Sequence, residues 1–287
     1  MAEFPQLLVN GLVTGSFYVL IALGLTIIYG ILDISHFAHG SVAMLSGYIG
    51  YIIVSDLGLN LFVALVLSMI FAAFVGMVLE RLAYRPVKDA PHINGFIIAL
   101  ALMLIIDNLA VIIFGPNQVS IRTDYTDVFK FASVSISSLR VYLFITSILL
   151  VTTLYIIIKY TKIGKAIRAV AQNKEAAKIV GIDTDRISSV VFALGSAMAG
   201  AAGIFIGAVF ALYPAMGGHT VMIGFAILIL GGLGSFPGAI IGGFIIGLAE
   251  TFRAAWISSA YKDLFAFLVL ILVLVFKPSG LLGKRGL

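Results

Sequence analysis

Residues 221–249 read VMIGFAILILGGLGSFPGAIIGGFIIGLA, 29 residues without an Asp, Glu, Lys or Arg. Two features of this stretch decide the fold class. It is apolar for longer than the about 20 residues that carry a helix across a bilayer. It is also interrupted midway, at Gly231-Gly232-Leu233-Gly234-Ser235-Phe236-Pro237-Gly238. Glycine and proline together break a helix. The stretch therefore predicts two segments, Val221–Leu230 and Ala239–Ala249, joined by an irregular turn. Each half would reach only about 15 Å as a helix, half of a bilayer core of about 30 Å, so a re-entrant pair is expected. At membrane depth such a turn must be covered by protein or line a cavity.

The same apolar character extends along the rest of the chain. No charged side chain occurs from Phe4 to Leu32, Ile34 to Ser55, Leu57 to Leu79, Ala90 to Ile106, Val141 to Ile158, Ile187 to Ala249, or Leu264 to Phe276. These runs are continuous rather than alternating, so they predict helices and not barrel strands. The predicted spans are Leu7–Tyr29, Gly40–Val54, Leu61–Leu79, Ile93–Phe114, Val141–Ile158, Ile187–Leu212, the broken 221–249 segment and Leu264–Phe276. Of the 287 residues 61% are apolar and 11% charged, against about 45–50% and about 25% in soluble chains. The mean hydropathy is +1.16. Soluble, disordered and fibrous classes are excluded. The fold class is all-α integral membrane: a polytopic helical bundle of about seven crossings plus the re-entrant pair, or nine if both halves extend. We read residues 1–287 as a single transmembrane domain.

There is no cysteine, which removes disulfides, thiolate metal sites and Cys nucleophiles. The net charge of +5 fits basic loops on the cytoplasmic side of a bilayer better than a nucleic-acid partner. Met1–Pro5 lacks a basic region and a small-residue cleavage site, so no cleaved signal peptide is expected. Of the 18 Lys and Arg, 13 lie in Glu80–Pro91, Lys159–Arg186 and the tail beyond Phe276. The other side would hold Arg122, Lys130, Arg140, Arg253 and Lys262. This asymmetry predicts an external N-terminus and a cytoplasmic C-terminus.

The longest cytoplasmic stretch is patterned. Lys165 and Arg168 alternate with Ala166, Ile167, Ala169, Val170 and Ala171. Asn173 suits the cap of a second short helix, Lys174–Val180, stopped at Gly181. Two uses fit an amphipathic pair of this kind: docking in a partner's groove, or lying among lipid head groups.

Ionisable groups inside spans are costly and face a cavity or a partner. Asp107, beside Asn108, fits either a structural hydrogen bond between helices or a pathway-lining or proton-coupling site. Asp33, His36 and His39 have a spacing that could suit a metal, but no fourth ligand is evident; loop packing and a helix break at Gly40 are preferred. Glu80 and Glu250 read as solvated interfacial ion pairs with Arg81 and Arg253. Gly11/Gly15, Gly203/Gly207, Gly238/Gly242 and Gly243/Gly247 place small residues on helix faces for close packing. No intramembrane catalytic set is found.

Several ordered motifs carry a family resemblance. They are Ala22-Leu-Gly-Leu-Thr-Ile-Ile-Tyr-Gly30, Phe37-Ala-His-Gly-Ser41 with Met44, Glu80-Arg-Leu-Ala-Tyr-Arg-Pro86 and Gly164-Lys-Ala-Ile-Arg-Ala-Val-Ala171. Asn173-Lys-Glu-Ala-Ala177 with Gly181-Ile182, Gly231-Gly-Leu-Gly-Ser235 with Pro237-Gly238-Ala239, Gly247-Leu-Ala-Glu250 and Lys277-Pro-Ser-Gly-Leu-Leu-Gly283 complete the set. In this order the chain resembles the branched-chain amino acid ABC transporter permease family, LivH type. Glu175-Ala176-Ala177 followed by Gly181 resembles the coupling signature of ABC-importer permeases; the Leu-Pro pair that often follows it is Ala193-Leu194 here.

The resemblance implies a permease subunit of an ATP-driven importer in a bacterial inner membrane, moving branched-chain amino acids. It implies as partners a homologous second permease subunit, two cytoplasmic ATPase subunits and an external solute-binding protein, all within membrane lipid. The chain has no G-x-x-x-x-G-K-[ST] loop, so ATP and magnesium are expected on the ATPase chains, with no cofactor, metal or catalytic residue in this one. Lys165, Arg168, Asn173, Glu175, Ala176, Ala177 and Gly181, within a coupling segment at 160–186, are the expected ATPase contacts. Asn10, Gly40, Asp107, Asn108, Gly232, Gly234 and Ser235 are the candidates for lining the pathway, since broken helices expose backbone to substrates. The polar loop Gly115–Arg140 is expected to receive the binding protein. Another solute in the same importer class, such as urea or a sugar, or an ion-coupled secondary transporter using Asp107, are the alternatives.

Overall fold

A computed structural model describes residues 4–131, 134–256, 271, 275, 277 and 279–283. Its described secondary structure is almost entirely helical, and six helices are long and apolar enough to cross a membrane. The centre is formed by α1 (Phe4–Leu32) and α8 (Thr184–Val209). At 29 residues, α1 is about 43 Å long, and it is buried almost continuously from Gly11 to Ile28. It runs along α10 (Phe236–Trp256) at backbone contact. A Cβ on Gly247 would stand 2.3 Å from the Cα of Gly15, so the paired small residues serve packing within this chain. On its other side α8 meets α2 (His39–Ser55) and α3 (Leu61–Leu79), where a Cβ on Gly203 would lie 1.9 Å from the carbonyl oxygen of Ala43.

The outer helices are α3, α4 (His92–Phe114) and α5 (Ser138–Tyr160). They leave Ile70, Phe74, Leu104, Ile112 and Leu149 exposed. Apolar side chains in such numbers on one surface suit acyl chains or neighbouring membrane helices.

The break in 221–249 falls where the sequence places it, but its arms are longer than expected. The arms are α9 (Met216–Gly231) and α10, with only residues 232–235 between them. They measure about 24 and 31 Å, so α10 is long enough to cross alone, and the 15 Å half-spans are corrected. The reason is local. Ser235-Phe236-Pro237-Gly238 starts a helix rather than prolonging the break: the Ser235 hydroxyl accepts from the Gly238 N–H at 3.2 Å, and proline is tolerated in a first turn. The break also lies at one end of the bundle. Gly234 abuts Gly30 near the end of α1, and Leu281 and Leu282 donate their N–H groups to the carbonyls of Leu230 and Gly231 at 2.8 and 3.0 Å. The expected span Leu264–Phe276 falls almost wholly outside the described residues.

The opposite end carries a feature the helical reading lacked. Between α4 and α5 the loop forms an antiparallel hairpin, β1 (Val128–Phe131) and β2 (Val134–Ser137). Gln6 at the start of α1 exchanges hydrogen bonds with the Ser135 backbone, at 3.0 and 2.8 Å. Val119 and Leu212 exchange backbone bonds across the same end.

Candidate functional site

Two places concentrate the polar chemistry. The first is a foot at the basic end. Thr161 caps α6 (Lys162–Gln172), its hydroxyl accepting from the Gly164 N–H at 3.0 Å. Asn173 caps α7 (Lys174–Ile179), its side chain accepting from the Ala176 N–H at 2.9 Å. Gly181 then turns the chain at φ +84°, a conformation that costs any residue with a Cβ. Asp183 caps α8 through the N–H groups of Asp185 and Arg186. Three caps in succession explain how two short helices keep fixed places.

The foot's apolar face is already occupied. Ile167, Val170 and Ala177 are buried against Ile28, Ile187 and Val191 of the bundle. Most open is the tip of α7, where Ile179 and Val180 are 86% and 74% exposed; Ile163 of α6 is exposed as well. Glu175 and Ala176 are exposed beside them. Glu175 pairs with Lys178 at 3.0 Å, and that neighbour keeps the Lys178 ammonium protonated above the usual lysine range. Lys165 is exposed. Arg168 donates to the carbonyls of Ile158 and Lys159, closing the end of α5.

Beside the foot, a largely buried ion pair ties the end of α3 to the start of α8. After α3 the helix widens into a π turn, Glu80–Tyr84, which aims Glu80 inward. Glu80 is 2% exposed and takes Arg85 on both oxygens, at 3.1 and 2.7 Å. It also accepts from Ser189 of α8 at 2.7 Å. Arg85 reaches Ser189 and the Asp185 carbonyl, and Lys88 pairs with the Asp185 carboxylate at 2.8 Å. The solvated Glu80–Arg81 pair is thus corrected. Arg81 is exposed, and the wider π turn brings Arg85, five residues on, under Glu80. Between foot and bundle lies a polar cleft of about 380 Å³, bordered by Tyr29, Asp33, Arg85, Lys88, Lys174 and Asp185.

The second place is a contact inside the bundle. Gly40, Ser41, Asp107 and Gly217 converge from α2, α4 and α9. A Cβ on Gly40 would lie 2.0 Å from the Gly217 carbonyl oxygen. Asp107 accepts from the Ser41 hydroxyl at 2.6 Å, a hydrogen bond between helices. Asn108 faces outward and donates to the Leu104 carbonyl of its own helix. The remaining pathway candidates are scattered. Asn10 accepts from Arg140 at 2.9 Å and from Gln6 at 3.2 Å, at the hairpin end. Gly232, at φ +103°, sits under residues 279–283, with Gly234 and Ser235 beside it at the basic end.

Three further placements bear on the sequence expectations. Gly40 does not break a helix; the chain breaks at 33–38, and Gly40 is the second residue of α2. Asp33 and the two histidines are parted. Asp33 is exposed, 3.7 Å from His92, whereas His36 and His39 are buried with their rings 5.6 Å apart, and His36 meets the Tyr84 hydroxyl at 2.8 Å. Glu250 is no solvated end residue: it lies within α10, partly buried, and accepts a hydrogen bond from the Tyr18 hydroxyl across the α1–α10 contact. Sequence reasoning missed Ser189, Tyr18 and the exposed tip at Ile179. The first two owe their places to partners far along the chain, and the third to a packing face.

This geometry defines a polytopic helical membrane protein with its polar contacts gathered at a basic foot. The family described as branched-chain amino acid transport system / permease component matches residues 7–274, and the chain belongs to it. It is 35% identical to the high-affinity branched-chain amino acid transport system permease protein LivH of Escherichia coli, over 98% of this chain and 96% of that protein. It is 34% identical, with the same coverage, to the corresponding permease BraD of Pseudomonas aeruginosa. A probable LivH of Methanocaldococcus jannaschii is 29% identical over 97% of this chain and 92% of its own length. No solved structure gives a significant match.

Proposed function

We propose that this chain is one membrane-spanning half of an ATP-driven importer of branched-chain amino acids. A homologous second permease completes the channel, and two separate ATPase subunits drive it from the cytoplasm. An external binding protein delivers the solute at the hairpin end. The membrane is the bacterial inner membrane, with the foot and C-terminus inside. Membership of the permease family, and relatives named for branched-chain amino acid transport, support the solute. The observation that carries the coupling is the α7 tip. Its Ile179 and Val180 are the most exposed large apolar residues of the foot, while Ile167, Val170 and Ala177 are packed against the bundle. Burying such a side chain in a partner stabilises the contact by about 1.5–3 kcal/mol. ATP binding to the partner would then pull α7, and the packing of Ile167, Val170 and Ala177 on Ile28, Ile187 and Val191 would pass that displacement to α1 and α8, with the Glu80–Arg85–Ser189 clamp linking α8 to α3. A ligand shifts two states only through unequal affinity for them; solute choice rests mostly with the external binding protein, so this chain needs no tight site.

The test is co-purification and uptake. Val180→Asp should lose the ATPase subunits and ATP-dependent leucine uptake, while Lys162→Ala keeps both. Leucine transport by this chain alone in nucleotide-free liposomes would overturn the reading in favour of ion coupling.

A further inference from the structure

A second cavity, of about 280 Å³, lies far from the foot, between α1, α9, α10 and the 210–215 linker. Its apolar wall includes Phe17, Phe210, Met216 and Ile223; its polar groups are Tyr18, Glu250, His219 and Thr220. Tyr18 is at the middle of α1, so this cavity lies about midway along a helix long and apolar enough to cross a membrane. A carboxylate there is expensive against acyl chains, and such groups face a cavity or a solute path. The Tyr18 hydroxyl donates to Glu250 and so helps to fix its place; a carboxylate accepts about four hydrogen bonds in all. The volume falls just below the roughly 300 Å³ where pockets for drug-sized ligands begin, which suits a solute the size of one amino acid.

We propose that this cavity is a transit site for an aliphatic amino acid, its α-ammonium on Glu250 and its side chain against Phe17, Met216 and Ile223. His219 and Thr220 of α9 supply N–H and O–H donors for the α-carboxylate. The inference rests on the function proposed above and adds the place and chemistry of contact. An acyl chain would use the apolar wall alone. The zwitterion uses the apolar wall and the polar groups together.

The experiment takes the assembled importer, purified from its native membrane through a tag on this chain. A diazirine analogue of leucine is photolysed during ATP-driven turnover, and the adducts are mapped by mass spectrometry. The expected adducts fall on peptides containing Phe17, Met216 or Ile223 and are suppressed by excess leucine. Glu250→Gln should weaken this labelling roughly tenfold or more, the scale of a hydrogen bond to a charged group. It should change labelling by the des-amino analogue less than about twofold, since that analogue has no ammonium to lose. Tyr18→Phe should act in the same direction with a smaller effect. Adducts confined to other helices, labelling that leucine does not compete, or an equal loss for both analogues would overturn the site while leaving the importer reading standing. A wild-type complex that takes up no branched-chain amino acid would overturn both.

Discussion

Glu80 shows what one side chain can decide. Its carboxylate is buried beneath Arg85 and Ser189, and removing one partner of a buried pair leaves the other poorly solvated. Arg85 remains 30% exposed, so water offsets part of the loss. We expect Glu80→Gln to cost about 1–3 kcal/mol and Ser189→Ala about 1 kcal/mol. The two should be non-additive because they share Glu80. The survival of folded complex in detergent on heating, across the double-mutant cycle, measures this; strict additivity would show that the clamp is not one unit. The sequence contained Glu80 and Arg85 but not their pairing. The π turn that brings residues five apart together leaves no periodic trace, and Ser189 lies 109 residues away. Asp107 was more legible, because an acid inside an apolar run must find a donor, and Ser41 is that donor.

At the scale of elements, the spans and the foot were readable because each follows from a local rule. Charge-free runs set α1, α3, α4, α5 and α8 to within a few residues, and Asn173 and Gly181 bound α7 as capping chemistry requires. The lengths of α9 and α10 were misjudged because Pro237 reads as a breaker until the Ser235 cap makes it a first-turn residue. The hairpin escaped notice because two strands of 4 residues carry little signal beside helices of 23. Capping also makes the foot testable. Asn173→Ala removes the bond to Ala176 and should cost about 1 kcal/mol. Gly181→Ala forces a left-handed residue at about 1–2 kcal/mol. Both changes should loosen α7 without disturbing the bundle. Limited proteolysis should therefore cut faster between Gln172 and Asp183 in either variant, with unchanged helical circular dichroism. Cleavage as slow as in the wild type would mean that contacts of Ala177, not the caps, hold the foot.

At the scale of the whole molecule, the two ends differ in kind, and the membrane must lie between them. One end gathers Arg85, Lys88, Lys174 and the tail against the α9–α10 turn; the other gathers the hairpin, Gln6, Asn10 and Arg140. Basic residues are retained on the cytoplasmic side during insertion, so the foot should face inward and the hairpin outward. The absence of cysteine makes this directly measurable, since any thiol introduced is the only one in the chain. Glu175 and Phe131 are suitable positions, with the Glu175 side chain 77% and Phe131 84% exposed, on opposite ends. In intact spheroplasts a membrane-impermeant maleimide should label Phe131→Cys and spare Glu175→Cys; in inverted vesicles the pattern should reverse. The same orientation requires an odd number of crossings between the two positions, and α5 is the single long apolar helix separating them in sequence. Labelling of both positions from one side would therefore mean that α5 does not cross, and the lipid-facing row of Ile148 and Leu149 would need another partner.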